Sequence, residues 1–153
     1  YASGYNLTQL MIGSEGTLGI ITKIVVKLIP RPTQDALMLA SFNNNESACA
    51  AVSAIFKAGI VPSALEFMER RGVEWVKEHD DINFDLKDDI NAFLLIEVDG
   101  TNPDVIFADC ENINTVLEQF DCKDVLFADS TAQKEELWRM RLTSAVFVKS
   151  KAL

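Results

Sequence analysis

The stretch Ala36-Leu37-Met38-Leu39-Ala40-Ser41-Phe42, followed by Asn43-Asn44-Asn45 and then by residues 46–58, decides the fold of this chain. Its apolar start has the length of a buried strand, and the asparagines that follow can cap a helix. One face of the helix predicted over residues 46–58 carries four apolar residues, namely Ala48, Ala51, Val52 and Ile55. The sequence therefore predicts a strand followed directly by an amphipathic helix.

The same pattern recurs three times further along the chain. Strands are predicted over residues 64–68, 92–98 and 123–128. The helices that follow them are marked by Val73, Trp75, Val76 and Lys77, by Ile106, Cys110, Ile113, Leu117 and Phe120, and by a capping box at Ser130-Thr131-Ala132-Gln133. Such units predict an α+β sandwich whose largely antiparallel sheet is of ferredoxin-like type, with helices covering one face. A doubly wound parallel sheet is the competing topology.

A glycine-rich segment, Leu10-Met11-Ile12-Gly13-Ser14-Glu15-Gly16-Thr17-Leu18-Gly19-Ile20-Ile21-Thr22, precedes these units. Glycine adopts positive φ and lets backbone N–H groups face a ligand, although a strand–turn–strand that uses glycine only for bends also fits. The spacing matches neither a Walker loop nor the Rossmann fingerprint. Residues 19–29 are rich in β-branched side chains and predict a long, largely buried strand, which Pro30 and Pro32 end at a domain boundary.

Residues 1–32 as a whole resemble the FAD-linked oxidases of the vanillyl-alcohol-oxidase type. The resemblance rests on Gly4-Tyr5-Asn6-Leu7, on the glycine-rich segment and on Ile29-Pro30-Arg31-Pro32. It is strongest to the branch that contains the glycolate oxidase flavoprotein subunit, D-lactate dehydrogenase and D-2-hydroxyglutarate dehydrogenase. It implies that residues 1–32 are the C-terminal segment of an FAD-binding domain and that residues 33–153 are the N-terminal part of a substrate-binding cap domain. Because Tyr1 falls inside the motif, we expect the chain to be a fragment that is inactive alone.

The resemblance also implies a chemistry, the oxidation of a small D-2-hydroxy acid such as lactate or glycolate by hydride transfer to FAD. The residues that match the cofactor-contacting segment are Gly4, Tyr5, Glu15, Gly16, Thr17, Leu18, Gly19, Ile20 and Ile21. An electron acceptor is a further implied partner, and a homodimer is compatible with the resemblance. The histidine-rich stretch that holds a divalent metal in this branch does not occur here. We expect that stretch, and the metal, beyond Leu153.

A second match lies near the C-terminus, where Leu137-Trp138-Arg139-Met140-Arg141 resembles an L-W-x-x-R helix signature of the same family. The family's arginine there points toward the substrate carboxylate, and the matching residue is Arg141. A planar guanidinium can hold a carboxylate through two parallel charge-assisted hydrogen bonds. The alternative makes Arg139 and Arg141 exposed residues paired with Glu135 and Glu136. Lys149 is a weaker candidate for the same pocket, and the sequence gives no role to Glu66, Glu69 or Arg70.

The composition of the chain limits the kinds of partner and cellular location that it can have. The net charge of −9 argues against nucleic acid or an anionic membrane as a partner, and no apolar run has the length of a transmembrane helix. Cys49, Cys110 and Cys122 are odd in number and read as reduced thiols of a cytoplasmic protein. The acidic stretch 79–89 is predicted to be a solvated loop, with Ca²⁺ or Mg²⁺ binding as the alternative. His79, the single histidine, is predicted to lie at the surface.

No Ser/His/Asp or Cys/His arrangement is supported, so the sequence names no catalytic acid, base or nucleophile. Two other functions stay open. Residues 36–153 could form a non-catalytic ferredoxin-like module for ligand binding or interaction. The parent could also be another flavoenzyme of the superfamily, such as an alkylglycerone-phosphate-synthase relative, since such relatives share the glycine-rich segment.

Overall fold

A computed structural model describes residues 4–80, 82 and 84–151, without the side chains of residues 147–151. The chain divides into two compact units, one ending at Pro30 and the other beginning at Arg31. In the first unit the described residues contain one short helix, α1 (Leu7–Met11). Everything that follows on the sheet concerns the second unit.

The second unit alternates strands and helices. In chain order they are β1 (Gln34–Phe42), α2 (Asn45–Lys57), β2 (Ala64–Glu69), α3 (Arg70–His79), β3 (Ala92–Gly100), α4 (Pro103–Leu117), β4 (Cys122–Phe127) and α5 (Thr131–Lys151). A 3₁₀ turn, Glu118–Phe120, leads from α4 to β4. In this second unit the predicted strands and helices are therefore all present, with ends shifted by a few residues.

The four strands form one sheet in the order β2-β3-β1-β4, and each neighbouring pair is antiparallel. Because β3 is antiparallel to both β1 and β2, those two strands run in the same direction with β3 inserted between them. This is the split βαβ arrangement of ferredoxin-like folds. The predicted antiparallel α+β sheet is confirmed, and the parallel doubly wound alternative is wrong.

Hydrophobic cores lie on both faces of the sheet. Helices α2 and α4 cover one core, which includes Met38, Ala40, Leu94 and Ile96. Helices α3 and α5 cover the other, which includes Leu37, Leu39, Phe93 and Leu95. The expectation that helices cover one face is thus wrong. The reason is visible in residues 36–40 of β1 and 92–96 of β3, which are all apolar, so that both faces of the sheet must be removed from water.

Asn44 caps α2 as predicted. Its Oδ1 accepts a hydrogen bond from the backbone N–H of Ser47 at 2.8 Å, which satisfies one of the donors that a helix start leaves without an intrahelical partner. We expect Asn44→Ala to lower the free energy of unfolding by about 1 kcal/mol. Urea unfolding followed by circular dichroism measures this change. The control is Asn112→Ala, an exposed asparagine inside α4. An equal loss in the control would contradict the capping role.

The prediction of a strand over residues 19–29 is wrong. The structure assigns no strand to these residues, and side chains such as Ile20 and Val25 are 92% and 99% exposed. A strand requires a neighbour to accept and donate its backbone hydrogen bonds. Within the described part of the chain, every strand pairing belongs to residues 34–127, so this apolar segment has no ladder to join.

Candidate functional site

Helix α5 carries the predicted substrate arginine and lies on the face of the sheet that it shares with α3. Leu137 and Met140 anchor the helix, because both side chains are buried in the core on that face. Arg141 follows Met140 and turns toward the edge strand β2. There its Nε donates to Oε2 of Glu66 at 2.8 Å, and its Nη2 forms an ion pair with the same oxygen at 2.6 Å. The side chains of Arg141 and Glu66 are 25% and 36% exposed.

Arg141 is therefore not the exposed helix residue of the alternative interpretation, and its recorded partner is Glu66 rather than Glu135 or Glu136. Sequence reasoning left Glu66 without a role. A signal was present in the alternation of β2, since Ala64, Glu66 and Met68 share one strand face and Met68 is buried in the core beneath α3 and α5. An acidic residue on a core-facing strand position calls for a cation on the covering helix.

Trp138 lies one turn before Arg141 on α5 and is held by a second strand carboxylate. Its indole Nε1–H donates to Oε2 of Glu97 at 3.1 Å. The other carboxylate oxygen of Glu97 accepts from the hydroxyl of Ser63 at 3.1 Å. Residues three apart on a helix lie on one face, so the side chains of Trp138 and Arg141 are fixed side by side by carboxylates of β3 and β2.

A cavity of about 700 Å³ opens beside Trp138. The residues that line it are residues 31–35, Glu97 and Asp99 of β3, and several residues in the first half of α5. Its charges are mixed, and Lys134 on α5 is paired with Asp35 of β1. Arg141 is not among the lining residues. Trp138 thus lines the cavity, whereas the predicted substrate arginine does not.

The glycine-rich segment forms a tight turn. The backbone N–H of Thr17 donates to the carbonyl oxygen of Ser14 at 2.9 Å, and the Thr17 hydroxyl donates to the same oxygen at 2.6 Å. The two central residues, Glu15 and Gly16, have φ of +48° and +81°. Positive φ at both positions is the pattern of a type I′ turn. For a residue with a side chain, as at Glu15, this conformation is uncommon and strained.

Gly16 and Gly19 serve different purposes in this segment. A Cβ at Gly16 would meet no atom within 4 Å, so its backbone conformation alone demands glycine and the space in front of it is open. At Gly19 φ is not positive, but a Cβ would lie 3.1 Å from Cε of Met11. Open space before a positive-φ glycine is what close approach of a ligand to the backbone requires. The residues present therefore fit a flavin contact.

The other predicted flavin contacts also belong to this first unit. Gly4 has a φ of +98° and open space at its Cβ position. The apolar and aromatic members of the set are exposed, with Tyr5 95%, Leu18 56%, Ile20 92% and Ile21 54% accessible. All nine flavin candidates therefore lie in the first unit, whereas Arg141 lies in the second. The side chain of Lys149 lies outside the described residues.

Arg70 and Glu69, which the sequence left without a role, hold the fold together. Nη1 of Arg70 donates to the backbone oxygens of Lys87 and Ile90 at 2.7 and 2.8 Å, which fastens the loop between α3 and β3. The carboxylate of Glu69 accepts from the side-chain amide of Asn45 at 3.0 Å. Both residues therefore have structural partners within the second unit.

The acidic loop is only partly solvated. Ile82 and Ile90 are buried in the core beneath α3 and α5, and Phe84 and Leu86 pack against it, whereas Asp85, Asp88 and Asp89 are exposed. Asp81 lies outside the described residues. Among the residues that the structure does describe, no group of three or more His, Cys, Asp or Glu side chains could hold a metal ion. His79 is exposed, as predicted, and its ring stacks on Trp75 with centroids 4.4 Å apart.

Cys110 is buried, and Cys122 is partly buried. Burial raises the pKa of the Cys110 and Cys122 thiols, which keeps them protonated and poorly reactive at neutral pH. Cys49 is exposed, and all three are free thiols. In the described part of the chain, no helix is both long and apolar enough to cross a membrane.

The sequence of the second unit matches a known protein family. The profile of the FAD-linked oxidases, C-terminal domain, matches residues 31–151. The chain belongs to this FAD-linked oxidase family. The match begins where the second unit begins and includes the whole sheet and helix α5 with Arg141. FAD is the cofactor that the family implies, and the family is one of flavoprotein oxidoreductases.

Curated proteins of similar sequence agree with the family. The chain is 38% identical to the glycolate oxidase subunit GlcD of Escherichia coli K12 over 138 residues, which cover 90% of this chain and 27% of that protein. It is 36% identical to the D-lactate dehydrogenase of Anaerostipes hadrus, over 92% of this chain and 30% of that one. The chain thus spans less than a third of the length of these FAD-linked oxidase relatives.

A solved structure shares the fold. An alkyldihydroxyacetonephosphate synthase superposes with a TM-score of 0.56 over 93% of this chain and 29% of that one, at 18% sequence identity. At this identity the likeness concerns the fold alone. Together with the sheet order, it confirms that the family fold is a helix-covered antiparallel sheet.

Proposed function

We propose that this chain is part of an FAD-dependent oxidoreductase that oxidises a small D-2-hydroxy acid of the lactate or glycolate type. The observation that carries the proposal is the family match over residues 31–151, because it includes the helix on which Arg141 lies. The named relatives, a glycolate oxidase subunit and a D-lactate dehydrogenase, support the choice of substrate class. An electron acceptor completes the reaction, and it stays unspecified.

The two units have separate tasks in this proposal. Residues 1–32 belong to the FAD-binding domain, and residues 33–153 to the substrate-binding cap. The chemistry that bound FAD would supply there is that of a hydride acceptor for the hydroxyl-bearing carbon of the substrate. The turn around Glu15 and Gly16 brings backbone close to the cofactor, and Gly4, Tyr5, Thr17, Leu18, Gly19, Ile20 and Ile21 line the same region.

Arg141 serves as the substrate clamp. Two parallel hydrogen bonds from its planar guanidinium would hold the carboxylate and so fix which face of the neighbouring carbon is presented for oxidation. The ion pair with Glu66 restricts the conformations of the Arg141 side chain, of which only 25% is exposed. No acid or base is assigned, since the described residues around Arg141 offer carboxylates that are already paired.

An absorbance spectrum of the purified full-length protein tests the function. We expect a flavin band in the protein as isolated, and its bleaching after anaerobic addition of D-lactate, glycolate or D-2-hydroxyglutarate. The L enantiomers are the matched controls. A flavin that none of the acids bleaches would favour a different flavin reaction, such as that of an alkylglycerone-phosphate-synthase relative. A folded protein without flavin would favour the non-catalytic binding module.

The flavin contact at the glycine-rich turn can be tested separately. We expect Gly16→Ala to lower the flavin content of the purified full-length protein, because the turn cannot keep a φ of +81° without strain of about 1–2 kcal/mol. The measurement is the ratio of flavin to protein absorbance. Gly59→Ala is the matched control, since Gly59 has a φ of +83° and open space in the turn after α2. Equal flavin loss in both variants would contradict a specific role for Gly16.

A further inference from the structure

Arg141 contacts Glu66 through one edge of its guanidinium only. Nε of Arg141 donates to Oε2 of Glu66 at 2.8 Å, and Nη2 forms an ion pair with the same oxygen at 2.6 Å. A guanidinium carries its five N–H groups in one fixed plane, so holding the Nε–Nη2 edge against a carboxylate fixes the direction of the N–H groups on Nη1. Within the described part of the chain, Nη1 has no recorded partner. The edge formed by Nη1 and Nη2 is therefore left for a second anion.

Glu66 is itself held in place by the sheet. It lies opposite Leu95 in the register of β2 with β3, and Leu95 is fully buried beneath α3 and α5. Two positions along the register, Ala64 lies opposite Glu97, the carboxylate that binds Trp138. The two carboxylates thus stand on one face of neighbouring strands, and each holds one side chain of α5. A rigid sheet, rather than a loop, sets the direction of the guanidinium.

We propose that Glu66 is a positioning residue for substrate binding. It holds the Nε–Nη2 edge of Arg141 so that the Nη1–Nη2 edge meets the carboxylate of a small 2-hydroxy acid in a bidentate contact. The inference rests on the proposed function and names the residue that makes its clamp directional. A charged pair also lowers the net positive charge at the site, so that binding depends on geometry and on two hydrogen bonds rather than on long-range attraction to any anion.

Steady-state kinetics of the full-length protein with the acid that bleaches its flavin test the role. We expect Glu66→Ala to raise KM by about 10- to 100-fold while the flavin content and melting temperature stay close to wild type, because a misdirected guanidinium loses its bidentate contact. Glu66→Gln keeps the shape and one acceptor oxygen, and we expect a smaller rise in KM. It also covers the case in which the alanine variant does not fold.

A double variant separates positioning from a merely structural role. If Glu66 acts through Arg141, Glu66→Ala combined with Arg141→Ala should be no worse in KM than Arg141→Ala alone. The matched control is Asp35→Ala, which removes another strand carboxylate paired with a cation of α5, Lys134, and should leave KM unchanged. Additive effects in the double variant, or a wild-type KM in Glu66→Gln and Glu66→Ala, would overturn the inference.

The outcomes also separate this inference from the function on which it rests. A wild-type protein whose flavin is bleached by no hydroxy acid overturns both. A bleached flavin together with unaltered kinetics in the Glu66 variants overturns the positioning role and leaves the function in place. A rise in KM that depends on the presence of Arg141 supports both.

Discussion

Replacing Arg141 by alanine is expected to lower kcat/KM for the proposed hydroxy acid by about 100-fold or more, because the variant would lose both of the hydrogen bonds that we propose to the substrate carboxylate. The loss should fall mainly on substrate binding, since the proposed flavin contacts belong to the other unit. Removing the guanidinium also leaves Glu66 without its cation. That carboxylate is 36% exposed and can be hydrated, so we expect the variant to fold.

Steady-state kinetics and a flavin titration check this prediction, with two further variants as controls. Arg141→Lys keeps the positive charge but loses the planar fork, and we expect it to recover only part of the activity. Arg139→Ala lies on the same helix and removes a cation that is 51% exposed and placed 3.6 Å from Asp80. We expect its kcat/KM within about twofold of wild type. Equal losses at Arg139 and Arg141 would argue against a specific clamp.

The largest expected effect on stability is that of Phe93→Ala, at about 3–5 kcal/mol. Phe93 lies in the central strand β3, is 1% exposed, and meets Phe84 edge to face with ring centroids 5.7 Å apart. Its removal opens a cavity in the core beneath α3 and α5, and the strands on either side of β3 limit how far that cavity can collapse. A loss of this size is a large part of the stability of an ordinary domain.

Urea unfolding of the full-length protein, monitored by circular dichroism, measures the effect. The matched control is Phe107→Ala on α4, a phenylalanine that is 65% exposed. We expect the control to change the free energy of unfolding by no more than about 0.5 kcal/mol. Similar losses at the two positions would show that the core on the α5 side is less tightly packed than the structure indicates.

The second unit could be predicted from sequence because its signals are local. The apolar run of residues 36–42, the capping asparagine and the four-three spacing of apolar residues on α4 each specify a strand or helix without knowledge of the rest. The placement of helices on both faces was missed. It depends on reading the consecutive apolar residues of β3 as a strand buried on both sides, which the same run could have indicated.

The features that the sequence could not predict are contacts between residues that lie far apart in the chain. Residues 19–29 have strong β propensity, but a strand exists only where another strand pairs with it, and propensity does not report that. Glu66 and Arg141 are separated by 75 positions, and no periodicity connects them. Their pairing follows from where β2 lies in the sheet and how α5 crosses it, which only the three-dimensional structure supplies.

The central position of β3 has a consequence for how the unit assembles. β1 and β2 come first along the chain, yet neither pairs with the other, and each finds its neighbour in β3. During synthesis, the earlier strands therefore have no ladder to join until residues 92–100 have left the ribosome. Such non-local pairings close long loops and slow folding. Once β3 inserts, it joins both halves at once, which makes the sheet a single cooperative unit rather than a series of hairpins added in turn.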